Sequence, residues 1–600
     1  MSVSPTKSLW AALFLTLLSL TGALAQTSAP LALPPSTDAS QPIVITAPEP
    51  VGLALPPAAP VASAVPVEAA NLTDVKPDSV GLLVSNEGGL GAGLWKDTPR
   101  VVVQRFMPML SLPVPYAALN DLAARLLLTT AASPEGAAGE GGQSLTALRV
   151  EKLVALGHVT EAWKLVNVAT ADPVDDITLR QVVEAALVSP VAAEVCAKLP
   201  EIIQRHTGAE WQKSLAVCQL QAKDAKAAQL SLDVLHTQDV HDEAFFALAE
   251  KNIIGGGKQL PRQLTPLKPL TLALLQLTDM PVRGEVYAHP DVPLIQGLLN
   301  IKTADENARL GLAERAAAKG LISAADLAAV YRGQTFPPDT ISNANISGEN
   351  GGRLRALLYQ ASQQERSPQN RVGEAVKFLQ SLDAMTMGGN VLPVLGSVLG
   401  EVQPAAEFNA SAASVAKIYV LAGKPALARA WLEQARNAAR GMPDVATELH
   451  DLWPLAALAG LESEKDFPAA LEAWLKGAIR ASDQDPDFRA QKTKAASILL
   501  LLDAAGFTVG DEVWAKLADA AGSEKLLMPS PLVMQRLRTA SESNHKGETV
   551  LMGLLAATGG KEDPPVLANL DVIRALHAVG LTSDATALAR DVVVRVLGAK

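Results

Sequence analysis

The chain has 600 residues, of which 48% are hydrophobic, 4% aromatic and 19% charged, and it carries a formal net charge of −11. Its wealth of Ala and Leu, with few β-branched or aromatic runs, argues against an all-β protein and against a wholly disordered one. Eight His and two Cys leave little room for a multi-metal, iron–sulfur or disulfide-dense protein, and the acidic excess speaks against nucleic acid as a partner.

At the N-terminus, Lys7 and the free amine precede an apolar run from Leu9 to Leu20, and Ala23-Leu24-Ala25 supplies the small residues that signal peptidase accepts. Residues 1–25 are therefore expected to be a signal peptide cut between Ala25 and Gln26. The run is shorter than the roughly 20 residues needed to cross a bilayer core, and Gln26 stands where a lipoprotein needs Cys. The most apolar later stretch, Val391 to Gly400, is short and holds Pro393. The mature chain is expected to be exported, periplasmic or secreted, with no integral membrane span.

Ten prolines lie between Gln26 and Pro66. Each removes a backbone donor and fixes φ, so residues 26–79 read as a disordered Pro/Ala-rich linker, partly polyproline II. Residues 80–143 read as an N-terminal helical segment with Gly-rich loops. Gly88, Gly89, Gly91 and Gly93 invite a nucleotide-loop reading, but no GxxxxGK[ST] or βαβ unit accompanies them and acidic Glu87 comes first. They are read as an irregular turn into a helix near Trp95, followed by a helix at about 116–130 and a flexible loop at 133–143.

From Ser144 onward a frame recurs. Around Gly157 a helix ends and another begins, with Ala162 five residues after the Gly. Tyr419, Gly423 and Ala428 repeat that spacing, as do Leu576, Gly580 and Ala585, and Gly320 with Ala325 is a looser copy. Gly takes the left-handed conformation that ends the first helix, and the small residue lets the second helix cross closely. The steadiest interval runs from Gly423 through a turn at Lys465 to Gly506. Residues 144–332 and 353–600 are thus expected to be two helical-repeat halves separated by a loop at 333–352.

The frame resembles the turn and second helix of the tetratricopeptide repeat, and Tyr419 to Ala435 holds its aromatic, glycine and two alanine positions. The expected fold is all-α, an irregular tetratricopeptide-like α-solenoid of stacked hairpins. The segments LGLAERAAAKGLISAADLAAVY and ETVLMGLLAATGG also make the chain similar to uncharacterised exported helical proteins of Gram-negative bacteria, some of which carry an antifreeze label. That resemblance implies no catalytic residues.

Cys196 and Cys218 each lie eleven residues from Thr207, the centre of a His206-Thr207-Gly208 turn. An antiparallel hairpin sets such positions side by side, so a structural disulfide is expected in an oxidising space, with two separate buried thiols as the alternative. His236 and His241 with Asp239, Asp242 and Glu243 fail as a metal site because the histidines are five apart, and Asp239 is read as a helix N-cap. Asp483, Asp485 and Asp487 imitate a calcium loop but lack its Gly, and Lys494 stands where Glu is needed. GxSxG, HExxH, paired CxxC and SxxK with its partner motifs do not occur, nor does the catalytic run of lytic transglycosylases, since Glu542-Ser543 lacks the Gly-Leu-Met-Gln portion of that run. Trp163, Trp211, Trp431, Trp474 and Trp514 are read as packing anchors.

The expected function is that of a non-catalytic, exported helical-repeat scaffold for a protein partner in the cell envelope, without cofactor or metal. An envelope enzyme or subunit with a site built from distant residues is the alternative. Ice binding is a second one, weakened by the scatter of Thr.

Overall fold

A computed structural model describes residues 77–600 other than 138–142, 170–173, 256–263, 265, 279, 366, 384–385, 401, 481–486, 519–528, 559–565 and 599–600. The expected signal segment, its cut between Ala25 and Gln26, and nearly all of the Pro-rich stretch lie outside the described residues.

Among the described residues the fold is all-α, with no strand and only isolated bridges such as Leu83 with Thr129. Helices α1 (Arg100–Phe106) and α2 (Ala117–Leu128) follow short 3-10 turns. Then come α3 (Leu145–Ala155), α4 (Val159–Val168), α5 (Asp176–Ala186), α6 (Ala192–Ile202), α7 (Ala209–Gln221), α8 (Ala225–Thr237), α9 (Glu243–Ile254), α10 (Pro269–Gln276) and α11 (Ile295–Leu299). The middle holds α12 (Glu306–Ala318), α13 (Ala324–Arg332), α14 (Pro338–Ser342), α15 (Gly351–Gln364), α16 (Pro368–Gln380) and α17 (Pro393–Val398). The last part is α18 (Ala412–Leu421), α19 (Pro425–Ala438), α20 (Pro443–Leu458), α21 (Phe467–Ala478), α22 (Asp487–Ala504), α23 (Asp511–Lys516), α24 (Pro531–Glu542), α25 (Lys546–Thr558), α26 (Val566–Ala578) and α27 (Thr582–Gly598).

Neighbours in sequence pack as antiparallel pairs, most closely α3 with α4, α7 with α8, α15 with α16, α18 with α19, α24 with α25 and α26 with α27. One local device closes most of these hairpins. A residue in the left-handed region ends the first helix, and the next residue donates its N–H to the carbonyl five positions earlier, as His158 does to Leu153, Lys424 to Tyr419 and Leu581 to Leu576. Gly157, Gly423 and Gly580 hold the left-handed position. So do Lys223 and Asn544, where Asp224 donates to Gln219 and His545 to Ala540. These two turns carry no glycine, which is why a search for the Gly frame passes over them.

Helix α19 shows why such a segment folds. Pro425 occupies its first turn, where its missing N–H costs nothing, and Ala428, Trp431, Leu432 and Ala435 are buried at helical spacing. Full burial of Trp431 stabilises the pair by roughly 3 kcal/mol or more. Ala162, Ala428 and Ala585 are wholly buried at the crossing of their pairs, where any larger side chain would force the helices apart.

The Gly320 copy departs from the frame. Gly320 is left-handed, but Ser323 caps α13, its hydroxyl accepting the Asp326 N–H and its own N–H donating to the Asp326 carboxylate, so the second helix starts two residues later than in the other hairpins. Ala325 is consequently exposed, and Leu327 and Tyr331 take the buried places. The turn expected at Lys465 is set instead by left-handed Gly460, with Leu461 donating to Ala456. The expected loop at 333–352 contains α14 and a 3-10 turn, buries Phe336 and Ala344, and does not separate its flanks, because α13 packs on α15.

The helical order also returns on itself. Helix α2 packs on α3 and on both α25 and α27. Gly547 makes this approach possible: its N–H donates to Leu94 O at 2.9 Å, and a Cβ there would lie 2.6 Å from that same oxygen and from the Trp95 ring. Arg595 donates to Pro115 O at 2.6 Å and lies over the Tyr116 ring, while Asn569 donates to the Tyr116 hydroxyl. Arg125 pairs with Asp584. Buried Arg149 donates to the carbonyls of Leu127 and Val80 at 2.6 Å each and reaches those of Thr129 and Asp78, so one side chain ties the segment before α1 and the end of α2 to α3.

Candidate functional site

A concavity of about 920 Å³ opens where the α20–α21 turn, the α22–α23 turn and the start of α27 meet. Its floor is apolar: Leu458, Phe467, Leu471, Phe507 and Val513. The Phe467 and Phe507 rings lie 5.2 Å apart, and behind Phe467 the stack continues through Trp453 and Trp474 to His450. The turn that delivers Phe507 depends on Gly506, left-handed, where a Cβ would meet the His577 ring at 2.7 Å.

Carboxylates rim this groove. Glu462 is nearly buried and paired with Arg436, and burial pushes its carboxyl above the usual range despite that partner. Glu472 faces Lys476 and, across the groove, Lys516 at 3.7 Å. Glu464, Asp511 and Glu512 are exposed and make no ion pair among the described residues. The signal for this site was spread over segments more than a hundred residues apart, and nothing local in any of them announces it.

A second cavity, about 310 Å³, lies where Ala117 and Asp121 of α2, Gly320, the segment 387–390, Leu421 and Arg590 and Asp591 of α27 converge with His158. Two of its polar groups, Asp591 and Asn390, serve the fold. Asp591 accepts the Ala118 N–H at 3.0 Å and so caps α2 from outside. Burial raises its carboxyl despite that bond and the nearby Arg590 and Arg595. Asn390 donates to Ile322 O, and Asn120 donates to Val114 O and Lys319 O.

Cys196 on α6 and Cys218 on α7 are joined by a disulfide, with Cα atoms 5.4 Å apart. At the turn between them His206 contacts Asp176 at 2.7 Å, and Trp211 donates to the same carboxylate. The histidine cluster forms no metal site, and no group of three or more His, Cys, Asp or Glu among the described residues is placed to hold an ion. Asp242, and not Asp239, caps α9; Asp239 is left-handed in the preceding turn, which leaves Asp242 the residue whose carboxylate reaches the Phe245 N–H. Asp242 also takes Lys213 at 3.0 Å, and His236 stacks on Phe246. Asp487 opens α22, while Asp483 and Asp485 lie outside the described residues. Trp163, Trp211, Trp431 and Trp474 are buried and Trp514 half-buried.

Sequence reasoning missed the buried charges. Glu314, 3% exposed, receives Arg355 through both oxygens at 2.7 and 2.6 Å and the Tyr331 hydroxyl at 2.9 Å, while Arg355 also donates to Ser381 O. Burial pushes the Tyr331 hydroxyl well up, and the Arg355 charge is kept by Glu314 although burial opposes it. The cluster ties α12, α13 and α15 to the end of α16. A charged residue on the alanine stripe of α12 was the available clue. Glu374, also buried, has its carboxyl pushed up to about 7 by burial and by Glu365, against Arg371, and its Oε2 has no hydrogen-bond partner among the described residues. Glu184 is pushed up to about 7 by burial and by Glu210.

Ser414 and Lys417 are spaced like a serine nucleophile and its lysine. Ser414 is buried and donates to Glu448 Oε2 at 2.7 Å, while burial lowers the Lys417 amine against the pull of Asp451 and Glu448. With its hydroxyl enclosed and bonded, Ser414 ties α18 to α20.

No family model matches the chain, and neither a curated protein nor a solved structure matches it. No helix among the described residues is long and apolar enough to cross a membrane.

Proposed function

We propose that this chain is a non-catalytic, exported scaffold of stacked tetratricopeptide-like hairpins that presents a binding groove to a protein partner in the cell envelope. The observation that carries the reading is the groove itself, a concavity between hairpins with an apolar floor on which Phe507 and Val513 are half-buried. A concave groove with an apolar floor and polar rim is characteristic of interaction sites. The left-handed turns with a wholly buried small residue five positions on support the repeat reading. The cleavable-looking N-terminus and the Cys196–Cys218 disulfide support export, because such bonds persist in oxidising spaces.

The test is crosslinking in intact cells, then purification of the chain and identification of the proteins still attached to it. One envelope protein recovered in constant ratio is the expected result. Recovery of the chain alone, or turnover of a small substrate by the purified chain, would overturn the reading.

A further inference from the structure

We infer that the groove between α21, α23 and α27 takes a cationic polypeptide segment, one that places an apolar side chain on Phe467 and Phe507 and Lys or Arg against Glu464, Asp511 and Glu512. The inference rests on the scaffold reading and names its partner by chemistry. Three observations carry it. The floor offers an apolar foothold: Phe507 and Val513 are half-buried at the open end of an aromatic stack whose Phe467 is buried. The rim is one-sided: Glu462 is already matched by Arg436 and Glu472 by Lys476 and Lys516, while Glu464, Asp511 and Glu512 have no ion pair among the described residues. The volume of about 920 Å³ has room for several side chains of an extended segment.

Charge selects among occupants. The chain's own residues 26–70 hold acidic Asp38, Glu49 and Glu68 and no Lys or Arg, so they would be repelled by the rim. A second copy of the chain, at net −11, meets the same long-range repulsion. A cationic segment is drawn in by the same field and desolvates few charges, because the rim carboxylates stay exposed.

The probe is a short dye-labelled peptide of alternating Lys and Leu, titrated into the purified full chain at low and physiological salt, with its Glu and Leu counterpart as control. The Lys peptide is expected to bind and the Glu peptide not. The triple variant Glu464→Gln, Asp511→Asn, Glu512→Gln is expected to raise Kd by about tenfold, and Phe507→Ala by about fivefold. A second triple variant, Glu194→Gln, Glu243→Gln, Glu285→Gln, removes the same number of charges elsewhere and is expected to leave Kd unchanged. Equal weakening by both triples, or equal binding of both peptides, overturns the inference. So does a dimer in light scattering that the groove triple dissociates, or tighter peptide binding on deletion of residues 26–70, since either names another occupant. If an envelope protein crosslinks as strongly to the groove triple as to the native chain, the groove inference falls and the scaffold reading stands. If the peptide binds as described but no envelope protein is ever captured, the scaffold reading falls.

Discussion

Two junctions between hairpins face the same physical problem and solve it differently. At the seam where α2 meets α25 and α27, residues 77–131 of the chain itself fill the space, and its charges and carbonyls find partners: Arg125 with Asp584, Arg595 with Pro115, Arg149 with several carbonyls, Asp591 with the first turn of α2. At the groove between α21, α23 and α27 no segment among the described residues does this, and half-buried Phe507 lies beneath a rim on which Glu464, Asp511 and Glu512 make no ion pair among the described residues. Neighbouring hairpins leave gaps because helices are cylinders. Where the chain supplies the filler the gap becomes core, and where it does not the gap is available to another molecule.

The contrast breaks first at its buried charges. Replacing Arg149 by Leu strands its carbonyl partners, and Arg355→Ala leaves Glu314 charged and unpaired, so each is expected to lower unfolding free energy by about 3–5 kcal/mol in denaturant titration. A loss under about 1 kcal/mol would mean that water replaces the lost partners.

Glu374 offers a pH test of the same idea. Its folded pKa of about 7 lies above the ordinary 4.5, so within that window the folded state holds a proton that the unfolded state has released, and stability falls as pH rises through it. Glu374→Gln is therefore expected to stabilise the chain by on the order of 3 kcal/mol near pH 8 and hardly at all near pH 4.5. A benefit independent of pH would show that the carboxyl is already solvated.

Smaller effects test the turns and the tie. Ser414→Ala is expected to cost about 1 kcal/mol by leaving Glu448 with one donor fewer, and native Ser414 is expected to resist fluorophosphonate labelling; rapid stoichiometric labelling would make it a nucleophile. Gly423→Ala, where nothing crowds a Cβ, isolates the left-handed penalty at about 1 kcal/mol, and Lys223→Gly is expected to return a similar amount. Smallest of all, the groove triple should shift stability by less than about 0.5 kcal/mol while weakening peptide binding, which separates an open site from a structural one.

The all-α class was legible from composition, and the hairpins at Gly157, Gly423 and Gly580 from a glycine and an alanine at fixed offset, because a left-handed helix end is written by a few consecutive residues. The Gly320 copy misled because Ser323 and Asp326 delayed the next helix by two residues, a capping signal that outranked the frame. Asp242 took the capping role read for Asp239 for a similarly local reason.

By itself, then, the sequence determined where the helices before Gly157, Gly423 and Gly580 stop, which small side chains lie at those crossings, and that Cys196 and Cys218 could meet across one turn. Only the tertiary structure decided that α2 returns to α25 and α27, that Glu314 would be matched by Arg355, and that Phe467 and Phe507 would meet beneath an acidic rim. Helix ends are fixed by hydrogen bonds within a few residues. Pairings between distant segments depend on the curvature accumulated over every intervening crossing, and no single stretch of residues encodes that sum.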